Sequence, residues 1–322
     1  MTKFERTIIN LPFVAFVLQK SKKIIILGFK GLPLYYVVRF FFQQINKVGL
    51  NERAAAISFN LIQALPAALL FLFSIIPYLP DSLNAKAQVF GLFKDLTPNT
   101  STYSFIQNLV DQLFKKHVGV FSFGFLLLIF YSSNAMMGVI RTFDKSIAER
   151  KSFFLHKRWR AIKITLILIV LFLVSVLMLI GQEELSGILK GLFSMRKKAH
   201  IPWWNATRWL IIVALIFFGI SLIYKFGPSV HKRWNLISSG SILATALTLL
   251  TTVGFSYWVN NFASYNKVYG PIGTVLIIML LIYFNSLILL IGFELNVSIT
   301  YLQAKAHEKL VKEEEDKMHS VE

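Results

Sequence analysis

Six stretches of this chain are apolar around their whole circumference. Each is long enough, or nearly so, to cross a hydrocarbon layer about 30 Å thick, which takes about 20 helical residues. They run over Ala54–Ile76, Val118–Ile140, Ile162–Ile180, Trp209–Phe226, Leu236–Val259 and Ile272–Ile299. A soluble protein can bury one such helix in its core. It cannot bury six within 322 residues of which only 16% are charged, because too little polar surface remains to cover them. The expected fold class is therefore all-α, a polytopic integral membrane protein with six transmembrane helices. The expected organisation is a basic, amphipathic N-terminal region (1–53), a six-helix transmembrane domain (54–299) and a charged tail (300–322). The early apolar stretch Ile8–Leu18 contains Pro12 and lacks a small-residue cleavage site, so no cleavable signal peptide is expected. The chain has no cysteine, which excludes a disulfide, a thiolate metal site and a cysteine nucleophile.

The net charge of +18 would fit either nucleic acid or anionic lipid headgroups, and the placement of the charges separates the two. Of the 34 Lys and Arg, 23 fall before the first span, after the second, after the fourth and in the tail. Ten fall in the alternate loops, and Lys163 lies within the third span. The only cluster against this alternation is Arg196-Lys197-Lys198. The positive-inside rule then puts both termini in the cytoplasm. The expected partners are membrane lipids, with anionic headgroups on the cytoplasmic side, and no nucleic acid. Upstream of the first span, Leu34, Val37, Val38, Phe41, Phe42 and Ile45 recur at helical spacing opposite Arg39, Gln43, Asn46 and Lys47. Such a helix either lies in the inner interface or packs against the bundle, and both can hold together. The six Trp (159, 203, 204, 209, 234 and 258) stand near span ends, where an indole anchors to the interface.

Polar side chains inside spans are costly and face protein or water. The strongest case is Glu294, followed by Asn296, near the cytoplasmic end of the last span. Asn60 and Gln63 lie on the first span, three residues apart, and Ser132 and Asn134 on the second. Arg53 and Arg141 stand at the matching ends of these two spans, where a buried carboxylate needs a cation. Their common depth leads us to expect one polar cluster of Asn60, Gln63, Ser132, Asn134, Glu294 and Asn296, with Arg53, Arg141 or both. Such a cluster either serves transport or lipid handling or only holds helices together. Pro66 is expected to kink the first span or to free a carbonyl near Ile62. Tyr269-Gly270-Pro271-Ile272-Gly273 is expected to open the last helix, because proline is well placed at a helix start.

The sequence holds no His-Glu-x-x-His, Walker loop, dinucleotide-binding loop or zinc-finger spacing. Its six histidines scatter over loops on both sides of the membrane. No catalytic residue, metal site or cofactor is expected.

Several of these residues carry a resemblance. Arg53-Ala54-Ala55-Ala56-Ile57-Ser58-Phe59 leads to Leu65-Pro66. Ser132-Ser133-Asn134 is followed by Phe143-Asp144. Tyr269-Gly270-Pro271-Ile272-Gly273 pairs with Gly292-Phe293-Glu294-Leu295-Asn296. With these motifs the chain resembles the YihY/BrkB family of bacterial inner-membrane proteins, once mislabelled ribonuclease BN, over about residues 30–300. It departs from the family at Leu281 and Ile282, where a Trp is common, and at Phe293, where an Ala is common. The resemblance implies an integral inner-membrane protein of about six helices and carries over no catalytic residue. Transport or envelope lipid handling is the leading expectation for function. A structural or partner-binding membrane protein is the alternative, and a membrane-embedded enzyme or ribonuclease ranks last.

Overall fold

A computed structural model of the chain describes residues 19–25, 28–78, 118–147, 153–180, 204–229, 234–261 and 264–319. Every regular element among them is helical, and an isolated bridge pairs Ile25 with Pro33. We number the long helices α1 (Leu34–Val48), α2 (Leu50–Ile75), α3 (Val118–Ser146), α4 (Phe154–Ile180), α5 (Trp204–Phe226), α6 (Ser239–Asn261) and α7 (Ser264–His319). A 3₁₀ turn, Ile76–Tyr78, closes α2. Two expected external loops, 77–117 and 181–208, lie outside the described residues except for 77–78 and 204–208, which are helical.

Five segments are long and apolar enough to cross a membrane: Leu50–Tyr78, Phe121–Ser146, Trp209–Phe226, Ser239–Trp258 and Val275–Lys309. They match five of the six expected spans. The other, Ile162–Ile180, lies on α4, whose first ten residues include Lys157, Arg158, Arg160 and Lys163. It is helical but not among the five, so the structure does not establish six spans. The last helix differs from expectation at its start. It begins at Ser264, so Pro271 falls inside it rather than at its first turn. A proline removes one backbone hydrogen bond, which weakens a helix without having to end it.

The chain divides into two compact units. The first comprises Met1–Ala55, Thr142–Arg150 and Pro228–Glu322, and so holds α1, the start of α2, the last turn of α3, α6 and α7. Its packing is organised by α7, which receives both α6 and α1. Val37 on α1 is fully buried with Phe29, Leu295 and Ile299, and Phe41, Leu243 and Leu302 pack around them. The amphipathic segment is thus a packing helix on this face. Its Tyr36, Val38 and Phe42 nevertheless remain exposed. Gly49 ends α1 with φ +61°, a left-handed conformation natural to glycine, which lets α2 start at the next residue.

The second unit comprises Ala56–Arg141 and Lys151–Gly227. Here Phe71, Leu128 and Ile169 form a buried cluster that joins α2, α3 and α4, and α5 packs on α4. Gly124 of α3 lies against the α2 backbone, where a Cβ would make ordinary van der Waals contact 3.5 Å from the Phe71 amide nitrogen. Large apolar side chains of this unit, among them Leu126, Val170 and Leu210, point outward. That arrangement suits hydrocarbon as solvent.

Candidate functional site

In the first unit, the start of α2, the end of α3 and the middle of α7 converge on one carboxylate. Glu294 has no exposed surface. The Arg53 guanidinium stands 3.7 Å from its Oε1. Ser146, in the last turn of α3, links the two. Arg53 Nη1 donates to the Ser146 hydroxyl at 2.8 Å, and that hydroxyl donates to Glu294 Oε1. The geometry follows from helix ends. Arg53 stands one turn inside α2, where a long side chain can reach past the helix start. Ser146 ends an α3 that runs six residues beyond the expected span end at Ile140. The Gln44 side chain of α1 also interacts with this carboxylate, although Glu294 Oε2 has no hydrogen bond of normal geometry among the described residues.

An aromatic cluster stands next to this site, one residue along α7. Phe293 is fully buried and stacks face to face on Phe143, with ring centroids 3.7 Å apart. Trp234 meets Phe293 edge-on, and its indole N–H donates to Thr300 Oγ1 at 3.0 Å. Trp234 thus also packs within the unit, beside its position near a span end. Trp159 and Trp209 are exposed, as anchors would be. Asp144, one residue from the stacked Phe143, accepts from the Ser229 amide at 3.0 Å and from its hydroxyl at 3.1 Å.

Asn296 takes a separate task in the same unit. Its Oδ1 accepts from the Gly240 amide at 2.8 Å, and its Nδ2 donates to Ser238 Oγ at 2.9 Å. It thereby satisfies a free amide at the start of α6, in a role usually played by a residue of the same helix. Ser238 and Ser241 complete the cap reciprocally, each hydroxyl accepting from the other's amide. The close approach requires Gly240, since a Cβ there would collide with the Gly292 carbonyl and sit 2.7 Å from the Asn296 amide. The motif residue Gly292 thus belongs to the crossing of α6 and α7.

The remaining residues of the expected cluster lie in the second unit, where Asn60, Asn134 and Arg141 have contacts of their own. Asn134 Oδ1 accepts from Arg158 Nη1 at 2.6 Å. Arg158 also stands over the Phe130 ring. Arg141 is exposed and lies over the Phe154 ring, so it does not have the expected role at a carboxylate. Asn60 Nδ2 donates to the Ala56 carbonyl of its own helix at 2.8 Å and faces Gly138. Gln63 and Pro66 are exposed, and Ser132 is half-buried. Of the expected cluster, the structure brings together Arg53 and Glu294, with Asn296 two residues along the same helix. Sequence reasoning missed Ser146 and Arg158. The motif Phe143-Asp144, two residues before Ser146, was the nearest signal for the first. For the second there was only a basic run at the start of α4.

The chain matches the family described as Virulence factor BrkB over residues 41–317. It is 24% identical over 249 residues to YfkH of Bacillus subtilis (strain 168), a protein whose name calls it ribonuclease-like. That alignment covers 76% of this chain and 88% of YfkH. It is 32% identical over 81 residues to a UPF0761 membrane protein of Tolumonas auensis, covering 25% of this chain and 27% of that one. A UPF0761 membrane protein of Idiomarina loihiensis is 29% identical over 100 residues, 31% of this chain and 35% of that one. The chain thus spans only about a third or less of the length of these two UPF0761 proteins. No solved structure matches. With a family match over most of its length and several long apolar helices, the chain belongs to the BrkB family of membrane proteins.

Proposed function

We propose that this protein spans the bacterial inner membrane with both termini in the cytoplasm, and that it handles envelope lipid at the inner leaflet. The observation that carries this reading is the placement of α1. It packs through Val37 onto Leu295 and Ile299, where the apolar run of α7 gives way to Gln303 and Lys305. From that level it presents Val38 and Phe42 outward, next to Arg39. The preceding turn exposes Ile24 and Ile25 beside Lys22 and Lys23. No acidic residue occurs between Glu5 and Glu52. Apolar side chains bordered by lysines at the boundary of a span match an anionic headgroup layer. The three segments 1–53, 54–299 and 300–322, with six spans counting Ile162–Ile180, remain our reading of the topology.

Glu294 argues against passage of a polar solute along the polar residues, so lipid handling rests on α1 alone. Glu294 is fully buried with Arg53 and Ser146 as partners, and Asn134 is engaged by Arg158. The test is reconstitution into vesicles with and without about one-third phosphatidylglycerol, followed by the exchange of a fluorescent phosphatidylglycerol between leaflets. The reading expects exchange faster than in protein-free vesicles, and slower exchange with Lys22→Gln/Lys23→Gln/Arg39→Gln. Exchange equal to that of empty vesicles would overturn it.

One observation favours a second reading, a partner-binding membrane protein. Helix α7 continues to His319, and its side chains from Ala304 to Lys309 are exposed. A partner that copurifies with the full chain and is lost on deleting residues 1–48 or 304–322 would support that role.

A further inference from the structure

We propose that the face of α2 carrying Gln63 is where a second copy of this chain docks within the membrane. Gln63 is the fourteenth residue of the 29-residue apolar segment Leu50–Tyr78, and so lies close to the bilayer midplane. Its side chain is exposed. A carboxamide at that depth finds no water, and leaving it in hydrocarbon is expensive. Phe59 and Pro66 lie on the same side, within about 60° of Gln63 at 100° per residue, and both are exposed, Phe59 by 61%. Helix α2 runs unbroken through Pro66. Because proline has no N–H, the Ile62 carbonyl has no helical donor. The exposed face therefore offers three hydrogen-bonding functions in mid-membrane: the Gln63 carbonyl, its NH₂ group and the Ile62 carbonyl.

The chemistry of this face selects the occupant. Lipid tails supply no donor or acceptor. A glutamine is self-complementary, because its amide both donates and accepts. Across a two-fold axis each Gln63 NH₂ can donate one hydrogen to the other copy's Gln63 carbonyl and the second to the freed Ile62 carbonyl. Every polar atom on the face is then satisfied. Ala56, one turn before Phe59 and Asn60, adds little bulk and lets the two backbones approach. A symmetric pair meeting through one patch is the commonest form of closed assembly. The inference goes beyond lipid handling and does not rest on it.

The chain has no cysteine, so a single introduced one reports only contacts between copies. The Phe59→Cys variant, which lies on the same face and keeps Gln63, is expected to form a disulfide-linked dimer within minutes when oxidised in native membranes. The Leu61→Cys variant is the control. It lies at nearly the same depth, on the opposite side of α2, and Leu61 is itself exposed. It is expected to stay monomeric. For the unmodified chain in lipid nanodiscs or vesicles, Gln63→Leu is expected to weaken association about tenfold, and Gln63→Asn by less, since it keeps an amide. Equal cross-linking at positions 59 and 61 would overturn the proposal, as would a dimer fraction indifferent to Gln63→Leu. Neither result bears on lipid exchange, so failure here is distinguishable from failure of the lipid-handling reading.

Discussion

Glu294 and Arg53 show how much a single pair decides. A carboxylate without solvent exposure exists as an anion only where a cation and hydrogen-bond donors replace water. Arg53 and Ser146 supply both on Oε1. Removing one partner leaves a buried charge uncompensated, at a cost of about 3–5 kcal/mol in comparable buried pairs. Replacing both by apolar groups of similar volume is often close to neutral. We therefore expect Arg53→Met to destabilise the protein strongly in detergent unfolding, and Arg53→Met/Glu294→Met to regain most of that loss. Equal stability of the two variants would show that the pair is not coupled. This pair was legible in the sequence because both residues fall at one depth. Ser146 was not, because the hydropathy of α3 fades before its helix ends. The pairing of Asn134 with Arg158 was not legible either. An apolar helix carries no stripe to fix its rotation, so depth can be read from hydropathy but facing cannot.

At the level of elements, the start of α6 is held by a residue of α7. Asn296 satisfies the Gly240 amide and binds Ser238, while Gly240 meets Gly292 with no room for a side chain. Loss of a helix cap costs about 0.5–2 kcal/mol, and forcing an extra methyl into a tight contact costs about 1–3 kcal/mol. We expect Asn296→Ala and Gly240→Ala each to lower the melting temperature of the purified protein. Because the two residues touch, the double variant should fall short of the summed effects. Strict additivity would mean that the cap and the crossing act separately. The helices themselves could be read from apolar length. The cap could not, since Ser238 and Ser241 announce a local N-terminus but give no sign of a partner 56 residues away on another helix. The start of α7 was misjudged for a related reason. A Gly-Pro pair signals a break only when surrounding turns cannot absorb the lost hydrogen bond.

The whole molecule follows one rule. Its first unit surrounds α7 and encloses the charged and aromatic residues, and its second unit joins α2, α3, α4 and α5 through apolar side chains. Many large apolar residues remain exposed in both, among them Leu126, Leu250 and Tyr257. Only lipid makes such a surface stable. The account therefore requires the apolar helices to lie in the bilayer and the cation-rich connections to face the cytosol. Labelling with a membrane-impermeant thiol reagent on intact cells or spheroplasts tests this most directly, because the native chain offers no background cysteine. Ser82→Cys, Ser194→Cys and Ser152→Cys mark connections outside the described residues. The account predicts labelling of the first two from outside, and of the third only after the membrane is opened. Labelling of the Ser152→Cys variant in sealed cells, with the other two protected, would contradict it.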